Sequence, residues 1–238
     1  MPISVGRGPG VREQASAEVL ALWRSAQAVC FDVDSTLCED ESIDELAAFQ
    51  GLGAEVAALT ASAMGGTVLF EVALAARLDL MRPSAATLAA FLAAHPPRLT
   101  PGIPELVARL QARGADVFLV SGGFRAIIDP IADLLAIPRD HVYANTILFQ
   151  EDGSYAGFDC AELTSHSGGK ATAARQIRAH YGYAPLVMVG DGATDAEARQ
   201  PGGADAFIGY GGAVRRPAVA AAADWYVLSI QPLLDALD

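Results

Sequence analysis

The chain reads as an α/β protein: a doubly wound, mostly parallel sheet carrying an inserted all-helical segment and a β-hairpin. Three observations predict this. From Pro104 onward, short β-branched and aromatic runs alternate with helical patterns, the signature of parallel strands joined by crossover helices. Between Ser42 and Pro97 the alternation stops, and every periodic stretch is helical. Finally, strand and loop ends carry Asp, Ser, Gly and Lys, residue types suited to the C-terminal edge of such a sheet, where ligands bind.

The elements follow in order. Val19, Leu20 and Trp23 recur at helical spacing, so 11–27 reads as a helix within an N-terminal extension, 1–28. Val29 to Val33 is a buried-type strand. Ser42-x-x-Glu45 reads as a capping box opening the next helix, Gly51 and Gly53 close it, and Ser84 starts another. A helix running to Arg113 stops at Gly114, a strand runs to Val120, and a helix follows from Phe124 to Leu135. Val142 to Phe149 and Ser154 to Phe158, joined at Asp152-Gly153, read as a hairpin. A helix from Lys170, a strand to Val189 and short strands near Ala206 and Trp225 complete the chain. The division expected is a core of 1–39 and 100–238, with the helical insertion at 40–99.

Composition narrows the functional classes. A chain of 238 residues can bury a substantial core, and although 52% of it is hydrophobic, no apolar stretch approaches the roughly 18 residues of a membrane span. A formal net charge of −12 opposes nucleic-acid binding, because phosphate backbones would be repelled over most of the surface. Cys30, Cys38 and Cys160 have no close pairing, so neither a disulfide framework nor a zinc site is expected. Met1 to Gly10 lacks the apolar core of a secretory signal, which leaves the cytoplasm as the expected compartment.

Four segments carry chemistry. Asp32 and Asp34 follow an apolar run at i, i+2 spacing, which in an extended strand puts both carboxylates on one face and invites a metal. Val120-Ser121-Gly122-Gly123 offers a hydroxyl and open backbone N–H groups before a helix, and Ser167-Gly168-Gly169-Lys170 offers glycines and a cation; both suit phosphate. Val189-Gly190-Asp191-Gly192-Ala193-Thr194-Asp195 brings further carboxylates at the end of a buried strand. Each has a plain alternative: Asp-x-Asp as a turn, Lys170 as a solvated helix residue, Asp195 as an acid at a helix start.

In this order the four segments resemble the motifs of the haloacid dehalogenase-like phosphohydrolases. Ser42-Ile43-Asp44-Glu45, Ala63-Met64-Gly65-Gly66, Leu99-Thr100-Pro101-Gly102 and Ala204-Asp205-Ala206-Phe207 are similar to the phosphoserine phosphatase branch of that superfamily, from about Val29 to the C-terminus. The resemblance implies hydrolysis of O-phospho-L-serine, the last step of serine biosynthesis, with Mg²⁺ as cofactor. Asp32 is then the nucleophile that becomes an aspartyl phosphate, and Asp34 the acid and base. The metal is held by Asp32, Asp191 and the backbone carbonyl of Asp34. Ser121, Gly122, Gly123, Lys170 and Thr194 hold the phosphate, while Glu41, Arg77, Met64 and Gly65 read the rest of the substrate from a helical cap at 40–99. On spacing alone, Glu41 reads rather as part of a solvated acidic run and Arg77 as an exposed helix residue; the resemblance reverses both readings. A homodimer completes the expected partners. Transfer of the phosphoryl group to another alcohol, and a binding module without turnover, are the alternatives.

Overall fold

The structure, a computed structural model, describes residues 12–63 and 68–238. The chain enters through α1 (Ala17–Arg24), where Ser16 Oγ accepts from the Val19 N–H at 3.2 Å and so caps the helix. This cap starts the helix six residues later than its apolar periodicity suggests. Trp23 on α1 is 1% exposed and donates through Nε1 to the Leu233 carbonyl at 3.0 Å, tying both ends of the chain together. Strand β1 (Ala28–Phe31) follows, then α2 (Ser42–Phe49), α3 (Gly53–Ala63), α4 (Phe70–Met81) and α5 (Ala85–Ala94), whose N-cap is Ser84. Next come α6 (Ile103–Ala112), β2 (Asp116–Phe124), α7 (Arg125–Leu134) and β3 (Val142–Asn145). A two-stranded antiparallel hairpin is made by β4 (Ile147–Phe149) and β5 (Tyr155–Phe158). The chain ends with α8 (Gly169–Tyr181), β6 (Leu186–Gly190), α9 (Ala193–Ala196), β7 (Ala206–Tyr210), α10 (Pro217–Ala222), β8 (Trp225–Val227) and α11 (Gln231–Asp235).

Six of the strands form one parallel sheet in the order β3-β2-β1-β6-β7-β8. Alternation along β1 shows how the sheet is sandwiched. Val29 and Phe31 join the apolar cluster of α1, α6, α7 and α11, whereas Ala28 and Cys30 join that of α8 and α10. Strand order reverses between β1 and β6, and a crevice at their carboxyl ends is the expected consequence. A third apolar cluster unites Leu46, Leu74, Leu78 and Phe91 of the helices between 42 and 94 with Ile147 and Tyr155 of the hairpin. Where the chain leaves the sheet for these helices and where it returns, it runs side by side. Cys38 bridges Leu99 in antiparallel fashion, and Thr100 N–H donates to the Leu37 carbonyl at 2.9 Å.

Three expectations are corrected. Residues 142–149 are two strands, because β3 pairs with β2 in the main sheet while β4 turns away to pair with β5. Ser121-Gly122-Gly123 lies in extended β2, and the helix begins only at Arg125. Ser42 is not an N-cap: Glu41 holds that position without a side-chain bond, since the Ser42 hydroxyl is engaged elsewhere.

Candidate active site

At the end of β1 the Asp32 N–H still pairs with the Val189 carbonyl at 2.9 Å, so Asp32 continues the strand and its side chain is carried to the crevice. The chain then turns back within five residues, closed by Cys38 N–H donating to the Val33 carbonyl at 2.9 Å. Ser35 sits in this turn at φ 54°, a left-handed conformation that a residue with a Cβ adopts at a cost. Two contacts hold it there: its N–H donates to the Asp40 carbonyl at 3.1 Å and its hydroxyl to Glu41 Oε1 at 2.8 Å.

Backbone at Asp32 and Asp34 is extended, yet the two carboxylates have different partners. Asp34 accepts from the Ser42 N–H at 3.0 Å and the Ser42 hydroxyl at 2.9 Å, so it caps α2 from outside the helix. Burial pushes its pKa up to about 7, helped by the charges of Glu41 and Asp32 and only partly opposed by the Ser42 bonds. Asp32 instead meets Lys170, whose Nζ lies 2.8 Å from Asp32 Oδ1 and 2.7 Å from Asp195 Oδ1. Burial alone would push the ammonium down, but Asp195 and Asp32 outweigh it and Lys170 is raised, hence charged. Asp195 is fully buried and also accepts from the Gly192 N–H at 2.8 Å. A Cβ at Gly190 would stand 2.3 Å from the Asp195 side chain, so glycine is required at that strand end. Asp195 is thus both the partner of Lys170 and the acid in the first turn of α9.

Asp191 faces Asp32 across the switch point. Thr36 donates to its Oδ1 at 3.3 Å and Arg216 Nε to its Oδ2 at 2.9 Å, and its pKa is raised, by burial first and Asp32 second. Oxygens of Asp32, Asp191 and Asp195 lie within 4.8 Å of one another. Both Asp195 oxygens are taken, by Lys170 and the Gly192 N–H, whereas both contacts of Asp32 fall on Oδ1; Asp32 and Asp191 make the buried, all-oxygen pair that fits a hard divalent cation. The Asp34 side chain is outside this group. Ser121 is 1% exposed and its Oγ accepts from the Gly123 N–H at 3.0 Å. A Cβ on Gly123 would approach Asp34 Oδ2 and Ser42 Oγ to 3.0 Å, so the Ser-Gly-Gly segment runs against Asp34.

Toward the helices, Glu41 is raised by burial against the pull of its Ser35 bond. Arg77 on α4 donates through Nε to Ala73 of its own helix and forms no ion pair with any described residue. Burial lowers its pKa, while the charges of Asp44, Glu41 and Asp34 act in the opposite direction and locate those carboxylates nearby. Thr194 is half-buried in α9, beside the Asp191 turn. Met64 and Gly65 lie outside the described residues. Sequence reasoning missed Arg216, which also reaches Glu41 Oε1 at 3.6 Å, and Thr36 and Ser42 as donors to the carboxylates. The signal for Arg216 was a basic pair, Arg215-Arg216, beyond a strand end in an otherwise acidic chain.

The model of the haloacid dehalogenase-like hydrolase family matches residues 26–203. A chloroplastic phosphoserine phosphatase of Arabidopsis thaliana is 56% identical over 94% of this chain and 76% of its own length. The phosphoserine phosphatase of Bos taurus is 50% identical over 93% of this chain and 98% of its own. Among solved structures, a phospho-aspartyl intermediate analogue of phosphoserine phosphatase superposes with a TM-score of 0.76 at 26% identity, covering 90% of this chain and 99% of that one. Among the described residues no helix is long and apolar enough to cross a membrane. A parallel sheet whose switch point gathers Asp32, Lys170 and Asp191, matched along nearly its whole length by these relatives, makes this chain a member of the haloacid dehalogenase-like hydrolases, within their phosphoserine phosphatase family.

Proposed function

We propose that the protein hydrolyses O-phospho-L-serine to L-serine and phosphate through an aspartyl phosphate on Asp32, the last step of serine biosynthesis. One contrast carries the reading. At the sheet edge Lys170 is paired twice, whereas Arg77 keeps a guanidinium without an ion pair among the described residues, on the side of Asp34 and Glu41. A phosphate monoester bearing a carboxylate and an ammonium would complete that pattern, its carboxylate on Arg77 and its ammonium on Glu41.

Both bonds to Asp32 fall on Oδ1, from the Val33 N–H at 2.8 Å and Lys170 at 2.8 Å, which leaves the lone pairs of Oδ2 for phosphorus. Lys170 offsets the repulsion between this carboxylate and the phosphate dianion. Ser121 and the Gly122 N–H hold the transferring oxygens, joined by the Gly123 N–H once it leaves or shares its bond to Ser121 Oγ, with Thr194 as a further polar contact. With a pKa of about 7, Asp34 carries the proton needed by the departing serine oxygen and can take it back from the water that opens the aspartyl phosphate. Asp32 and Asp191 would hold Mg²⁺, with the Asp34 carbonyl as the family's third ligand; bound there, the ion neutralises charge on the phosphoryl group. Residues 40–99 act as the cap that closes over this chemistry and excludes bulk water.

The test is phosphate release from L-phosphoserine with and without Mg²⁺, beside phosphothreonine, phosphoethanolamine and a sugar phosphate, with Asp32→Asn as the blank. A Mg²⁺-dependent preference for phosphoserine that vanishes in the blank is expected. Preference for another ester would refute the assignment of Glu41 and Arg77, and silence on every ester would refute turnover. Light scattering decides the expected homodimer, and fractionation the expected cytoplasmic location.

A further inference from the structure

We infer that Ser167 is a docking residue for the cap: it caps α4 from across the site and thereby positions the closed state. Helix α4 begins at Phe70, and its N-cap, Leu69, makes no side-chain bond to the helix. The first N–H groups of a helix need acceptors. Ser167 supplies one, since its Oγ accepts from the Phe70 N–H at 3.0 Å. Glu71 returns the contact: its Oε2 accepts from the Ser167 N–H at 3.0 Å and the Ser167 hydroxyl at 3.0 Å. This is the reciprocal pattern of a capping box, serine hydroxyl to helix N–H and helix carboxylate to serine N–H, split between two segments 96 residues apart.

The placement of the two segments turns a helix cap into a clasp. Ser167 lies three residues before Lys170, on the glycine turn that opens α8, and Arg77 lies two helical turns beyond Phe70 on α4. The Phe70 ring rests on Gly122, where an added Cβ would come within 2.8 Å of it. Withdrawing α4 from the sheet edge therefore uncaps the helix and lifts Phe70 from Gly122 at the end of β2 together. Docking restores both and brings Arg77 into register with the phosphate site. None of Ser167, Glu71 or Phe70 is part of the reaction chemistry described above.

The inference rests on the cap reading of residues 40–99, and the experiment separates the two. Hydrogen exchange of the α4 amides is followed with Mg²⁺ and orthovanadate as the phosphate mimic, for the wild type and Ser167→Ala, Ser167→Thr, Glu71→Ala and the double alanine variant. Faster exchange at the start of α4 in both alanine variants is expected, on the order of 3- to 10-fold, the size of one lost helix cap. The double variant should exchange no faster than either single one, and Ser167→Thr should behave as wild type. In kinetics, KM for phosphoserine should rise by a similar factor in the alanine variants while kcat for phenyl phosphate stays unchanged. Unaltered exchange in Ser167→Ala, or additive effects in the double variant, would overturn the clasp. Equal losses on both esters would also overturn it, moving Ser167 to the support of Lys170. If wild type fails to hydrolyse phosphoserine, the exchange arm alone decides, because vanadate requires only the phosphate site.

Discussion

The two ends of the pocket treat charge in opposite ways. At the sheet edge, Lys170 bridges Asp32 and Asp195 and Arg216 bonds Asp191, so each of these carboxylates already has a cationic neighbour. On the helical side Glu41, Asp44 and Arg77 stand near one another with fewer contacts, and a buried oxygen of Asp44, Oδ1, lacks a hydrogen-bond partner. A buried, mutually paired cluster is rigid and intolerant of single deletions; a sparsely paired one is free to be completed by a ligand. On the proposed function, the difference separates reaction from selection: chemistry at the preorganised end, substrate choice at the unfinished one.

Substitutions can break or sharpen that contrast. The largest effect is expected for Asp32→Asn, which should lower kcat on every phosphate ester by on the order of 10⁴-fold or more while leaving the fold intact by circular dichroism. Retained turnover would show that the rigid end does not hold the nucleophile. Lys170→Met should cost about 10²- to 10³-fold in kcat. It should also destabilise the protein by roughly 3–5 kcal/mol in denaturant titrations, because Asp32 and Asp195 are left buried without their counter-charge. Arg77→Ala should instead raise KM for phosphoserine about 10- to 100-fold and leave phenyl phosphate untouched. Equal losses on both esters would erase the division between the two ends.

A smaller effect concerns protons. The folded pKa of Asp34, about 7, lies above the ordinary carboxylate value, so the unfolded chain gives up this proton first. The penalty is absent below the ordinary value, grows as pH rises towards 7 and is constant beyond it. In metal-free protein, Asp34→Asn should therefore raise the melting temperature at pH 8 and leave it nearly unchanged at pH 4, which calorimetry can check. An equal gain at both values would mean that burial does not hold the proton on Asp34.

Much of this was legible because strand ends are written locally. Apolar runs breaking into Asp32, Ser121 and Asp191 each declare a sheet edge without reference to the rest of the chain, and Lys170 is marked by the glycine pair that opens its helix. What escaped was nonlocal. Ser42 has the sequence of an N-cap, but its hydroxyl serves Asp34, eight residues earlier, because the turn at Ser35 folds that carboxylate over the start of α2. Arg216 reaches Asp191 only once β7 lies beside β6. Gly122 and Gly123 punctuate the sequence like a turn, yet β2 carries them extended so that Phe70 and Asp34 can come close.

The bridge between Cys38 and Leu99 has a consequence for how such an enzyme diversifies. Exit and re-entry of the chain are neighbours in space, so the sheet experiences everything between them as one loop with fixed ends. Loop-closure entropy grows only slowly with loop length, by about 0.6 kcal/mol per doubling, so the insertion can be lengthened, shortened or exchanged with little strain on the strands beneath it. On the proposed reading of residues 40–99 as the cap, selectivity is carried on a replaceable module, and a lineage can change what it dephosphorylates without rebuilding the apparatus that breaks the phosphorus–oxygen bond.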